Sequence, residues 1–196
     1  SISQLDAHMK YLHASGFYFP SFSELRAYID GKISLPAKSV IVTFDDGGIS
    51  MFKEGLPILN KYKIPATQFM IGKYDALSKM CTYASPYISF QSHSYNMHFP
   101  DTLASGESHH QIGKLSKSEI IADLTANRDI VGNNHAFAYP YGDYTPDARS
   151  ALRDMGVLCS FTIKRGKVYP GDDPTILKRI GVYNTTDFDT FVAGLN

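Results

Sequence analysis

The chain has no tryptophan, only two cysteines and no net charge. Two cysteines, Cys81 and Cys159, are too few for a disulfide scaffold or a zinc–thiolate site of the usual kind. Whether they pair is open, because sequence alone does not give their separation. A formal charge of zero, from 19 basic and 19 acidic residues, offers no general attraction to nucleic acid or to an anionic membrane. No apolar run is long enough to span a bilayer, and no signal peptide is visible. The chain opens at Ser1, without Met, directly in a helical pattern, which reads as a processed or trimmed piece. What is present is an ordinary globular composition, 43% hydrophobic and 19% charged over 196 residues, within the size range of one domain. The 13 Tyr and 12 Phe suit core packing first and a sugar-binding groove second.

Helical and extended patterns alternate along the chain. Leu5, Met9 and Leu12 recur at helical spacing before Gly16. Ser21 and Glu24 form a capping-box pattern ahead of Leu25, Tyr28 and Ile29, with Gly31 closing that helix. Residues 39–44 are a β-branched run that reads as a strand buried on both faces. A helix over 51–62, a buried strand over 67–71 and a strand over 87–90 follow. Residues 99–113 are polar and irregular, a length often used for lids or binding rims. Ser116 and Glu119 repeat the capping box before a helix with Ile120 and Leu124 on its stripe. A strand over 136–139, a helix from Thr145-Pro146 to Gly156, and strands over 157–163 and 177–182 complete the pattern. Alternation of this kind predicts one α/β domain with a mainly parallel sheet, whose chemistry gathers at the carboxyl ends of its strands.

Three strand ends carry the residues with chemistry. Asp45 and Asp46 follow the first strand, and Gly47 and Gly48 permit the tight turn that would bring both carboxylates to one place. Adjacent carboxylates repel, and a cation would relieve them; the bland alternative is a solvated Asp-Gly turn. His93 and His98 follow the 87–90 strand at a spacing that does not share one face of a regular helix, so they belong to a turn. Two imidazoles and a carboxylate are a common ligand set for catalytic zinc. Pro140-Tyr141-Gly142 is a turn that exposes backbone N–H groups suited to an oxyanion if they are aimed at one. His109 and His110 read as solvated loop residues, His8 and His13 as surface or interface residues of the first helix, and His135 has no obvious partner.

Taken together, the stretches Thr43-Phe44-Asp45-Asp46-Gly47, His93-Ser94-Tyr95-Asn96-Met97-His98 and Phe137-Ala138-Tyr139-Pro140-Tyr141-Gly142 resemble the NodB-homology polysaccharide deacetylases, carbohydrate esterase family four. The match extends from about Leu5 to Val182. The resemblance implies a distorted (β/α) barrel over 1–196. It implies that Asp45 is the general base, that Asp46, His93 and His98 hold Zn2+ or another divalent ion such as Co2+ or Ni2+, and that the backbone N–H of Tyr141 helps form an oxyanion hole. The implied reaction is metal-dependent hydrolysis of N-acetyl groups on an N-acetylglucosamine-containing polysaccharide, at the cell envelope or outside the cell. Two other readings stand beside it: a non-catalytic glycan-binding module with a retained metal site, and a deacetylase of O-acetylated glycan.

Two departures from the family pattern matter. The histidines are one residue further apart than in the commonest form, which with the Tyr139–Gly142 turn is similar to the branch acting on poly-β-1,6-N-acetylglucosamine. Ala138 occupies the place of an arginine that orients the catalytic Asp, and Arg179 on the last strand is the expected substitute. Many members also end in a Leu-x-His motif whose histidine is the general acid, and 177–182 holds no histidine. In the permuted branch that residue precedes the first helix, so the expectation is an N-terminally truncated domain lacking a first strand.

Overall fold

The computed structural model describes residues 1–98, 100–102 and 108–195. Among them the strands are β1 (Val42–Phe44), β2 (Ala66–Met70), β3 (Ile88–Ser92), β4 (Pro100–Thr102), β5 (Ser108–His110), β6 (Ala136–Ala138), β7 (Cys159–Arg165) and β8 (Leu177–Arg179). The helices are α1 (Ile2–Ala14), α2 (Phe22–Ile29), α3 (Leu56–Tyr62), α4 (Ala76–Thr82), α5 (Lys117–Val131), α6 (Pro146–Asp154) and α7 (Phe188–Leu195). Six strands form one sheet in the order β1-β2-β3-β6-β7-β8, and every neighbouring pair is parallel. Their carboxyl ends therefore share one rim, as crossover connections through helices require.

The capping signals place the helices. Ser1, Ser21 and Ser116 each close a capping box, with Gln4, Glu24 and Glu119, and Thr145 caps α6 with Pro at its first turn. On the outer face of the sheet, Ala66, Met70 and Ile88 pack under α1 and α3, while Phe137 and Tyr139 pack under α5 and α6. Side chains alternate along each strand, so Phe69, Ala136, Ala138, Phe161 and Leu177 face the other way, and Phe22, Leu25 and Ile29 of α2 fill that side.

The sheet curls around this α2 cluster. Phe69 of β2 and Phe161 of β7 are three strand spacings apart, about 14 Å in a flat sheet, yet their ring centroids lie 5.9 Å apart. The edge strands β1 and β8 would be roughly 24 Å apart if flat. Instead Arg179 of β8 hydrogen-bonds Thr43 of β1 (3.4 Å) and Asp45 just beyond it (2.8 and 2.7 Å). No backbone ladder joins β1 to β8 among the described residues; side chains span the seam. This is the distorted (β/α) barrel that the resemblance implies.

Several expectations need correction. Strand β1 is shorter than expected and only half-buried, because it is an edge of the sheet. The helix over 51–62 begins as a π-helical turn, Met51–Gly55. The 99–113 segment is not irregular throughout: β4 and β5 pair antiparallel, and Gln111–Gly113 is a 3-10 turn. Helices α4 and α7 were not anticipated, although Phe188, Phe191, Val192 and Leu195 have helical spacing and Asp187 accepts the Thr190 N–H at 2.7 Å. That α7 buries His8, which is not at the surface; its imidazole stacks on Phe191 with centroids 3.9 Å apart. The cysteines are both free, Cys81 exposed and Cys159 buried. The side chains of His109 and His110 lie outside the described residues.

Candidate metal and catalytic site

All six candidate residues stand at the carboxyl rim. Asp45 and Asp46 follow β1, His93 follows β3, His98 lies five residues further on, Tyr141 sits in the turn after β6, and Arg179 ends β8. The turn after β1 needs unusual backbone: Asp46 has φ 73° and Gly47 φ 71°. A Cβ on Gly47 would come within 2.8 Å of the Met70 Sδ, so glycine is needed there for space as well as conformation.

This turn sends the two neighbouring carboxylates to different partners. Asp46 Oδ1 lies 3.2 Å from His93 Nε2 and 3.0 Å from His98 Nε2. The three ligand atoms fall within 4.8 Å of one another. Donors arranged tetrahedrally about zinc at 2.0–2.1 Å would be separated by about 3.3 Å; both Asp46 contacts match that separation, so the trio is of a size to close on a divalent ion. His93 is buried, and its Nδ1 lies 2.8 Å from the Ala138 carbonyl oxygen. A carbonyl only accepts, so Nδ1 carries the proton and the Nε2 lone pair points to the site, as metal-ligating histidines are usually held. The His93 and His98 imidazoles beside it hold the Asp46 carboxyl well below the usual carboxylate range. The bond to Asp46 correspondingly raises the pKa of His98.

Asp45 turns the other way. Both its oxygens accept from Arg179, in the two-pronged geometry that fixes a carboxylate plane. Arg179 is itself aimed by donating Nε–H to the Thr162 carbonyl at 3.0 Å. The pair is largely but not fully enclosed: the side chains are 17% and 30% exposed for Arg179 and Asp45. Asp45 is thus held beside the Asp46 cluster with its orientation set from the opposite edge of the sheet.

Tyr141 adds a function that its sequence position did not suggest. Its φ is 57°, its ring stacks on His98 with centroids 4.6 Å apart, and its O–H donates to the His98 carbonyl at 2.9 Å. The side chain therefore orients the His98 imidazole. An open cleft of about 550 Å³ runs from Asp46 and His98 past Ile71, Lys73, Tyr74 and Lys79. That is large enough for a sugar unit or two. His8, His13 and His135 do not belong to the Asp46 cluster.

The sequence reading missed the residues that hold this site from behind. Asp123 on α5 accepts the N–H groups of Tyr95 and Asn96, each at 2.8 Å. Burial raises the Asp123 pKa in spite of those two bonds, which act to lower it. Asn127, one turn on, is buried and donates to the Met70 carbonyl (2.9 Å) and Ser92 Oγ (2.8 Å). The signal was there: positions 120, 123, 124, 127 and 131 form one helical stripe, and two polar residues interrupt it.

Comparisons with known proteins follow the same lines. The fold matches that of a Streptococcus pyogenes deacetylase, PplD, solved in complex with acetate, with a TM-score of 0.83 and 21% identity, covering 100% of this chain and 87% of that one. It also matches IcaB from Ammonifex degensii, with a TM-score of 0.78 and 25% identity, covering 100% and 89%. In sequence, the chain is 28% identical over 197 residues to the poly-beta-1,6-N-acetyl-D-glucosamine N-deacetylase of Staphylococcus aureus strain MRSA252, covering 92% of this chain. It spans 66% of that relative's length. The profile of the family described as polysaccharide deacetylase matches residues 32–159. That match takes in the Asp45-Asp46 turn, both histidines and Tyr141, and the chain belongs to the polysaccharide deacetylase family.

Proposed function

We propose that the protein hydrolyses the acetamide of N-acetylglucosamine units in a polysaccharide, releasing acetate and leaving a free amine. The observation that carries this reading is the split turn after β1, which gives Asp46 to the two histidines and Asp45 to Arg179. A metal-ligand cluster and an oriented carboxylate thus lie one residue apart on the rim of a sugar-sized cleft. The named relatives support the substrate class: the staphylococcal ones are poly-beta-1,6-N-acetyl-D-glucosamine N-deacetylases. A polymeric substrate of that kind puts the reaction at the cell envelope or outside the cell.

Asp46, His93 and His98 would hold the ion, with zinc the best fit to a carboxylate and two imidazoles, and cobalt or nickel acceptable in the same set. Such an ion, when bound, supplies Lewis acidity at the acetamide carbonyl and lowers the pKa of a water to about 7. Asp45 accepts a proton from the attacking water, Arg179 keeps its carboxylate in the plane that this transfer needs, and the C–N bond breaks as that proton is returned to the departing amine nitrogen. The Tyr141 N–H is the candidate donor to the oxyanion that develops on the carbonyl. Tyr141 also steadies His98 through its ring and hydroxyl.

The test is acetate release from N-acetylglucosamine oligomers by zinc-loaded protein, compared with Asp45→Asn and His93→Ala. Release by the wild type, lost in both variants, is the expected result. Zinc-bound protein that binds the oligomers and releases no acetate would mean that the fold is used here for glycan binding alone.

A further inference from the structure

Four residues separate His93 from His98, and a turn of that length does not by itself bring two imidazoles to one carboxylate. The backbone donors of this turn show what does. His93 N–H bonds the Met70 carbonyl (2.9 Å), Ser94 N–H bonds Ser92 Oγ (3.3 Å), and Met97 N–H bonds Ser94 Oγ (3.0 Å). The two donors at the apex, on Tyr95 and Asn96, both go to Asp123, one to each carboxylate oxygen. These are bonds across 28 and 27 residues, from a different element of the fold. The carbonyls of Ser94 and Tyr95 accept from Gly72 and Lys73 N–H (3.0 and 3.1 Å), which ties the turn to the segment after β2; among the described residues Asp123 is what anchors the N–H groups of its apex to a helix.

The helix is itself set in register with the strands. Asn127, four residues on, grips the Met70 carbonyl and Ser92 Oγ, the ends of β2 and β3. One face of α5 therefore reads the position of β3, from which His93 emerges, and passes it to the turn that delivers His98. We propose that Asp123 is a positioning residue for the metal centre: by holding the Tyr95 and Asn96 amides it sets the span between His93 and His98 so that both face one ion. This rests on the reading of Asp46, His93 and His98 as a metal centre. A carboxylate is required because two consecutive N–H groups must each find an acceptor; an amide at this position has one acceptor oxygen and would turn its NH2 toward the other donor.

The experiment measures zinc affinity of the whole chain by chelator competition, with the visible spectrum of the Co2+-loaded protein and a thermal melt alongside. Asp123→Ala and Asp123→Asn are compared with Val131→Ala, which removes a buried side chain of the same helix from the cluster under α1 and α3 rather than from the one that holds Met97 of the turn. The expected result is a ten- to hundred-fold loss of zinc affinity in both Asp123 variants, typical for groups that orient metal ligands, with a changed Co2+ spectrum. Val131→Ala should lower the melting temperature yet bind zinc as the wild type does. If Asp123→Ala does not fold, Asp123→Asn carries the comparison. Wild-type affinity and an unchanged spectrum in a folded Asp123 variant overturn the proposal while leaving the metal centre standing. A wild-type protein that binds neither ion overturns the centre itself, and the proposal with it.

Discussion

Replacing Arg179 by alanine removes a clamp between the first and last strands of the barrel. Four hydrogen bonds disappear: two to Asp45, one to Thr43 and one to the Thr162 carbonyl. Charge-assisted bonds of this kind are worth about 1.5–3 kcal/mol when buried, but Asp45 is 30% exposed and water takes over part of their role. The stability loss should therefore be about 2 kcal/mol, or roughly 4–8 °C in melting temperature for a chain of this size. The effect on catalysis should be larger in kind, because the Asp45 carboxylate loses the group that fixes its plane. A misdirected base typically costs about 100-fold in kcat, equivalent to roughly 2.7 kcal/mol in the barrier. Zinc affinity should not change, since Arg179 contacts none of the three ligands. Acetate release under saturating substrate, a zinc titration and a thermal melt read the three quantities separately. Arg179→Lys should recover part of the stability but little of the turnover, because one ammonium cannot present the guanidinium fork. Turnover in Arg179→Ala equal to that of the wild type would refute the assignment of Arg179 as the residue that orients Asp45.

Two further perturbations probe the frame around the site. Gly142 has φ 77°, and a Cβ there would lie 2.5 Å from Ile163 Cγ1 and 2.9 Å from the Ile163 backbone nitrogen. Gly142→Ala should cost more than the roughly 1–2 kcal/mol of left-handed strain alone and weaken zinc binding by displacing Tyr141 from His98; an unchanged melting temperature would contradict this. His8 offers a pH test away from the metal centre. Burial, and then the nearby amino terminus, lower its pKa in the folded chain, so between that value and about 6.5 the unfolded chain binds the extra proton. The stability His8 contributes is complete above about pH 6.5 and is lost as pH falls below it. Thermal melts from pH 7.5 to 5 should therefore fall more steeply for the wild type than for His8→Leu, and parallel slopes would count against the burial argument.

The candidate ligands and the candidate base were legible in the sequence because each lies within a few residues of a strand end, and a turn motif records its own geometry. The rule that parallel strands deliver their carboxyl ends to one rim brought Asp45, Asp46, His93 and His98 together, and the family resemblance supplied their expected roles. Arg179 was reachable through the resemblance, since Ala138 stands where many family members carry an arginine and Arg179 is the expected substitute. The Tyr141 side chain and Asp123 were not legible, since their bonds cross 43 and 28 residues and depend on how α5 and the β6 turn lie against the His93–His98 segment. The curl that brings β8 to β1 belongs to the same class of fact, for it follows from the α2 aromatics filling the concave face. Helix α7 is different: its apolar spacing and its Asp187 cap are plain in the chain, and the burial of His8 follows from that helix.

The seam between β1 and β8 gives this protein two separable ways to fail. The histidine cluster draws on β1 and the segment after β3, so it stays on one side of the barrel. Asp45 is steered from the far side, across a gap that the Arg179 guanidinium spans. A slackened seam would leave the ion in place and the cleft intact while uncoupling the base from both. On the proposed reading, such a molecule would grip its glycan and do nothing to it. Recognition and turnover would part company at a single bond pair, so a lectin-like descendant of this fold lies only one substitution away.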